Sequence, residues 1–269
     1  MPELPEVEYL RRELEIVLPG EVIKKVSYDV GKMLRPQPKL FIDGVIGKSI
    51  SQIRRRAKLL IFVLAPQGFF TVHLRLSGRL FWRPSTAPAD KFVHVVLHFA
   101  SGYELRFAEA RKFGYFEYIK NEIDLEKRLK DYGPEIDLVS WKNFSQILES
   151  RQRIKSLLMD QSKIAGIGNI YANDALWLAR IAPQRSAESL SPKERQRLWK
   201  ALQQVIEESL KKGGASDQWY RHLDGSKGNY QNFFKIYGQR DESCPRCGEK
   251  IKYESLGGRG TFWCPGCQN

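Results

Sequence analysis

The sequence predicts an α+β chain of two domains: a β-sandwich or barrel with a helix packed on it, then a helical domain ending in a cysteine hairpin. Three observations carry this expectation. Short strand-like runs dominate residues 22–118, an amphipathic stretch with a capping signature follows Ser191, and all four cysteines lie near the C-terminus. At 269 residues the chain is long enough for both parts and a sizeable core.

The first element is a helix. Val7, Leu10, Leu14 and Val17 share one helical face, which is expected to pack on the sheet, and Pro19-Gly20 ends it. From Val22 to Tyr118 the runs "KLLIFVL", "FFTVHL", "FVHVVLHF" and "YELRFA" are β-branched or aromatic and are broken by Gly, Pro or Ser. A Gly-Pro connector in "DYGPEIDL" then changes the pattern to helices. The clearest of these opens at Ser191-Pro-Lys-Glu, where Ser191 is an N-cap, proline takes the first helical position and Glu194 completes a capping box. Leu198, Leu202, Val205, Ile206 and Leu210 form its buried stripe, and Gly213-Gly214 stops it. The stretch "GGASDQWYRHLDGSKGNYQ" that follows is expected to be a mobile loop, with Trp219 and Tyr220 free either to stack on a ligand or to pack on the helix before them.

Two loops are candidates for nucleic-acid contact. In "KIAGIGNIYANDALWLAR" two glycines let the backbone turn closely before a helix over 170–180, so its free amide hydrogens and the Asn169 side chain can cradle a phosphate. Arg151, Arg153 and Lys155 just upstream favour that reading, although glycines before a helix also serve a plain tight turn. In "EARKFGYF" the tip carries Arg111, Lys112 and Phe113. Phe113 is either a wedge entering a base stack, with Arg111 satisfying the orphaned partner base, or a core residue between solvated cations. The basic run at 54–58 has the same ambiguity.

The cysteines form Cys244-Pro-Arg-Cys247 and Cys264-Pro-Gly-Cys267, with sixteen residues between the pairs. That spacing suits one tetrahedral zinc ion held by four thiolates, with two short strands between the pairs and Arg259 at their turn. A pair of disulfides is the alternative, and a reducing compartment disfavours it. Such a zinc would have no open position for chemistry.

Charge narrows the partner. There are 44 Lys+Arg against 31 Asp+Glu, a net +13, and the isoelectric point is about 9.6. An excess of this size points to a polyanion such as nucleic acid, or more blandly to a solvated basic surface. No apolar stretch approaches the ~20 residues of a membrane span. The opening "MPELPEVEYL" is too polar and acidic for a signal peptide, so the chain is expected to be cytoplasmic and not secreted.

Taken together, several motifs resemble formamidopyrimidine-DNA glycosylases. They are Pro2 to Glu8, Arg56-Ala57-Lys58, His73-Leu-x-Leu76-Ser77-Gly78, Arg111-Lys112-Phe113-Gly114, Gly166-Ile-Gly-Asn169-Ile-Tyr-Ala172 and the paired cysteines, in family order from residue 2 to 267. Endonuclease VIII is similar in architecture, but its opening usually has Gly where this chain has Leu4. The resemblance implies a β-sandwich domain over 1–131, a helix-two-turn-helix domain over 132–230 and a zinc finger over 231–269. It implies a monomer of the bacterial nucleoid that binds double-stranded DNA with oxidised or abasic sites in the cleft between domains, with zinc the only cofactor.

The activity implied is excision of 8-oxoguanine and formamidopyrimidines followed by strand cleavage. The runners-up are a catalytically silent DNA-binding relative and an endonuclease VIII-like enzyme acting on pyrimidines. By resemblance Pro2 is the nucleophile, Glu3 the proton shuttle, Lys58 the donor for β-elimination and Arg259 the phosphate ligand for δ-elimination. Glu6 orients the helix. Arg151, Lys155 and Asn169 contact DNA, while Leu76, Arg111 and Phe113 fill the void left by the flipped nucleotide. The chain departs from the family's usual residues at Leu76 (Met), Phe92 (His), Glu109-Ala110 (Asp-Pro) and Lys112 (Arg), which bears on lesion preference and opposite-base discrimination.

Overall fold

The computed structural model describes residues 2–269, and the fold is α+β. The chain divides into two compact units. The first runs to Lys130 and includes Lys212–Gln231; the second comprises Asp131–Lys211 and Asn232–Asn269.

In the first unit, α1 (Leu4–Val17) precedes β1 (Ile23–Tyr28), β2 (Leu34–Arg35) and α2 (Pro38–Val45). Seven strands follow: β3 (Ser49–Arg56), β4 (Leu59–Ala65), β5 (Phe69–His73), β6 (Arg79–Pro84), β7 (Val93–Phe99), β8 (Tyr103–Ala108) and β9 (Tyr115–Ile119), and then α3 (Glu122–Leu129). They form a four-stranded sheet in the order β1-β7-β8-β6 and a five-stranded sheet in the order β2-β9-β5-β4-β3. Pairing is antiparallel except for β2 with β9. A single apolar cluster joins the inner faces: Val26, Leu80, Val95 and Leu105 from one sheet, Ile53, Phe62, Phe70 and Phe116 from the other. Val7, Leu10 and Leu14 of α1 enter the same core, so the helical periodicity has its cause in burial against β3 and β4. This is a sandwich.

The glycine-rich stretch after residue 212 is the one expected to be a mobile loop within the 132–230 domain. It belongs to the first unit and is packed there, with Tyr220, Leu223 and Tyr230 buried. His222 stacks on Tyr9 at 4.5 Å, Glu13 accepts the Leu223 N–H at 3.1 Å, and the Trp82 N–H donates to the Leu223 carbonyl at 3.1 Å. Three buried side chains and these partners hold the stretch in this packed arrangement.

The second unit holds α4 (Trp141–Ile147), α5 (Ile154–Met159), α6 (Asn169–Leu178), α7 (Pro192–Lys211) and the hairpin β10 (Lys252–Leu256) and β11 (Arg259–Trp263). The capping box of α7 forms as its sequence dictates: the Ser191 N–H donates to Glu194 at 2.8 Å and the Glu194 N–H to the Ser191 hydroxyl at 3.4 Å. α6 packs on α7, α5 and β11. Asp174 of α6 is fully buried and accepts the N–H groups of Lys235, Ile236 and Tyr237 at 3.1, 3.0 and 3.0 Å, which pins the approach to the hairpin.

Candidate active site

The head of α1 is a rigid structure. Pro2 and Glu3 are buried, and Glu3 occupies the N-cap. Its side chain accepts the Glu6 N–H, while Glu6 Oε2 accepts the Glu3 N–H at 2.8 Å. The other Glu6 oxygen accepts the Ala215 N–H at 2.8 Å. Glu6 therefore fixes the backbone beside Pro2 and joins it to the turn after α7.

Lys58 sits in a turn linked to α1 by a second set of contacts. It is 9% exposed and follows Ala57, whose φ of 52° puts it in the left-handed region in the tight turn between β3 and β4. Arg55 donates to the Ala57 carbonyl at 3.1 Å and pairs with Glu8 of α1 at 3.1 Å. Burial alone would raise the Glu8 carboxyl, but Arg11, Arg12 and Arg55 outweigh it and hold it below the usual carboxylate range. Contacts thus run without a break from the Pro2 helix through Glu8 and Arg55 to the turn that carries Lys58.

His73, which stands in the His73-Leu-x-Leu76-Ser77-Gly78 motif, was given no role by the sequence. It lies opposite Leu59 in the β4–β5 pair, and its Nδ1 accepts the Arg75 N–H at 3.0 Å, which leaves the proton on Nε2. Burial first, then the charges of Arg75, Lys58, Arg128 and Arg35, push its pKa down to about 3. Beside it, Tyr115 has Arg35 over its ring at 3.7 Å and Arg75 at 5.5 Å, and Arg128 donates to its hydroxyl at 2.8 Å. A neutral N–H donor set among four cations suits an anionic oxygen.

The residues expected to form the wedge occupy two loops joined by a Ser77–Glu109 hydrogen bond. Phe113 is 56% exposed and Arg111 and Lys112 are exposed, so the alternative of a core Phe113 is excluded. Leu76 is half-buried in the turn after β5. Phe92 is 51% exposed, and its carbonyl accepts the Glu109 N–H at 2.9 Å.

In the second unit, Arg259 is exposed at the base of the β10–β11 turn. Gly257 and Gly258 both have positive φ, 57° and 73°, as a two-residue primed turn requires. The Gly260 carbonyl next to Arg259 accepts Lys155 Nζ at 2.8 Å and Asn169 Nδ2 at 3.0 Å, and Lys155 also donates to the Thr261 hydroxyl at 2.7 Å. Lys155, expected to contact DNA, has its side chain on the hairpin in this structure. The residue is 1% exposed and its ammonium is engaged with the hairpin, where two oxygens replace its water. Asn169 stands at the start of α6, half-exposed, as expected, with its amide on the hairpin. Arg151 lies elsewhere, in the exposed loop before α5, with a 4.0 Å ion pair to Glu188.

The four cysteine sulfurs lie within 4.8 Å of one another, with Cys244 and Cys267 at 3.9 Å and Cys247 and Cys264 at 3.5 Å. A tetrahedral ion with sulfur at ~2.3 Å demands edges of about 3.8 Å, so the set fits zinc. Burial pushes the Cys264 thiol up to about 12, and a thiolate cluster there needs a cation to compensate it. The Trp177 indole N–H donates to Cys244 at 3.5 Å.

A sheet unit headed by a buried Pro-Glu pair and a helical unit closed by a four-thiolate hairpin define a two-unit zinc-finger protein. The model of the formamidopyrimidine-DNA glycosylase N-terminal domain matches residues 1–116, that of the H2TH domain of the same enzymes matches 134–220, and that of a zinc finger found in FPG and IleRS matches 241–269. Formamidopyrimidine-DNA glycosylase of Pelotomaculum thermopropionicum is 37% identical, covering 100% of this chain and 99% of its own length. The enzyme of Listeria monocytogenes serovar 1/2a is 38% identical, with 100% of each covered. Lactococcus lactis Fpg in complex with an abasic site containing DNA superposes with a TM-score of 0.93 at 35% identity, with 100% of each chain covered. A point mutant of the Lactococcus lactis enzyme with a Fapy-dG containing DNA gives 0.93 at 36% identity and the same coverage. The chain belongs to the formamidopyrimidine-DNA glycosylase family, and its cysteine centre holds one structural zinc ion.

Proposed function

We infer that this chain excises oxidised purines, 8-oxoguanine and formamidopyrimidines, from double-stranded DNA and then cleaves the strand at the abasic site, as a bifunctional glycosylase and lyase of base excision repair. Family membership over the whole chain supports the activity. The observation that carries the mechanism is the Pro2-Glu3 head of α1, buried and clamped by Glu6.

Pro2 is the nucleophile once Met1, which lies outside the described residues, is removed. An α-amino group has an ordinary pKa of roughly 8, so a useful fraction is neutral near physiological pH. Its nitrogen bonds to C1′ as the bond from C1′ to the base breaks and the base leaves with a proton. Glu3 gives a proton to the sugar ring oxygen as the ring opens. The product is an iminium from a secondary amine. It has no N–H to lose, so it stays cationic and withdraws electrons from C2′. Loss of a C2′ proton expels the 3′ phosphate, with Lys58 serving proton transfer, and a second elimination at the 5′ side uses Arg259 as phosphate ligand. The zinc ion fixes the hairpin bearing Arg259 and takes no part in bond changes. Lys155 and Asn169 support that hairpin, and we assign Asn169, His73 and Arg151 to phosphates and Leu76, Arg111 and Phe113 to the wedge. We also place the enzyme in the cytoplasm, where DNA and reduced thiols coexist.

Borohydride reduction with an 8-oxoguanine duplex tests this reading: a covalent adduct forms with chain whose intact mass shows Met1 removed, and none forms with unprocessed chain. Pro2→Gly keeps an amine but not a secondary one, and its strand cleavage falls. Equal cleavage by the variant would remove iminium permanence from the mechanism.

A further inference from the structure

Glu109 follows β8 and has no solvent exposure, yet its carboxylate receives four donors. Oε1 accepts the Ser77 hydroxyl and, at 3.1 Å, the Arg111 N–H; Oε2 accepts the Phe113 N–H and, at 3.2 Å, the Gly114 N–H. Burial alone would raise this carboxyl, but the Ser77 hydroxyl and the three amides outweigh it and hold it below the usual range. Ser77 belongs to the other loop. It follows Leu76 in a turn closed by the Gly78 N–H on the Leu74 carbonyl at 2.9 Å, where a Cβ on Gly78 would collide with that oxygen. One anion is therefore shared by the loop that bears Leu76 and the loop that bears Arg111 and Phe113.

We propose that Glu109 and Ser77 form a clip that assembles Leu76, Arg111 and Phe113 into one wedge before DNA arrives, which makes Glu109 a positioning residue for discrimination of the base opposite the lesion. This rests on the wedge reading of those three residues. A preassembled wedge loses little further conformational freedom on insertion, and a fixed Arg111 backbone limits which partner base its side chain can satisfy. The carboxylate is essential to the clip because all four partners donate. A Gln side chain would turn its NH2 toward either the Phe113 and Gly114 amides or the Arg111 amide, so at least one loop bond is lost in either orientation.

The test separates the wedge from the bond chemistry. Single-turnover excision of 8-oxoguanine opposite C and opposite A is compared with borohydride trapping on a single-stranded abasic oligonucleotide, which has no partner base. For Glu109→Gln, duplex excision falls roughly ten- to a hundredfold and the C-to-A ratio moves toward one, while single-strand trapping stays within about twofold. Glu109→Asp, which keeps the charge, retains the discrimination. Ser77→Ala keeps the carboxylate and its three amides and shows a smaller loss in the same direction, so it decides the matter if Glu109→Gln does not fold. Unchanged duplex rates and C-to-A ratio in the folded variants overturn the clip, as does a fall in single-strand trapping that matches the duplex loss. Absence of any adduct in the unsubstituted enzyme would defeat the Pro2 mechanism instead.

Discussion

At the residue scale, His73 shows how neighbours set the chemistry of a side chain. Its pKa of about 3 against an ordinary 6.5 means that the folded state refuses a proton the unfolded chain accepts. Stability is therefore whole above pH 6.5 and drains away as the pH falls toward 3. In His73→Asn this part of the acid sensitivity disappears: thermal midpoints measured across that window fall less steeply than in the unsubstituted chain. Lys155 is the second case. Replacing it with Met strips a buried donor from the Gly260 carbonyl and the Thr261 hydroxyl and costs about 1–3 kcal/mol, read by calorimetry of the second unit. His73 stands in a quoted motif and Lys155 just upstream of another, but neither position says whether a side chain faces solvent or the protein. The four cysteines were legible because their spacing is itself the geometry of the ligand set.

At the element scale, the helices follow their local signals, and the packing of the long loop has none. The N-terminal helix ends at Val17 as Pro19-Gly20 dictates, and α7 runs from Pro192 to Lys211 between its box and its glycines. Ser191→Ala lowers stability by about 1 kcal/mol through loss of the cap, measurable in urea unfolding. Its partner Glu194 is pulled to about 2, chiefly by the Arg185 hydrogen bond, so that contribution is present above pH 4.5 and is lost as the pH falls through 2. In the 213–231 stretch Gly, Ser and Asp dominate the composition and give no local sign of its packing. Its order depends on Tyr9, Glu13 and Trp82, partners distant in sequence that no local pattern reveals.

At the scale of the whole molecule, the two units have separate cores, and metal removal acts on one of them. The cluster around Trp177, Ile236 and Ile251 includes three of the cysteines, so chelation loosens the second unit while the sandwich, whose core contains no cysteine, keeps its own transition. Trp177 fluorescence and calorimetry follow the two events. The net charge of +13 makes DNA affinity steeply dependent on salt, and Arg259→Ala reduces the slope of log K against log salt by about one.

The sequence by itself determined a closed or layered β domain, the capped helices, the thiolate set and the Pro-Glu opening, because periodicity, capping and ligand spacing are local and leave their signature in consecutive residues. Only the tertiary structure decided that Lys155 braces a hairpin, that His73 stays neutral, that Phe113 stands in solvent, and that Glu109 joins two loops. Those outcomes depend on burial and on hydrogen-bond partners as far as 106 residues away, and a linear pattern does not encode where such partners meet.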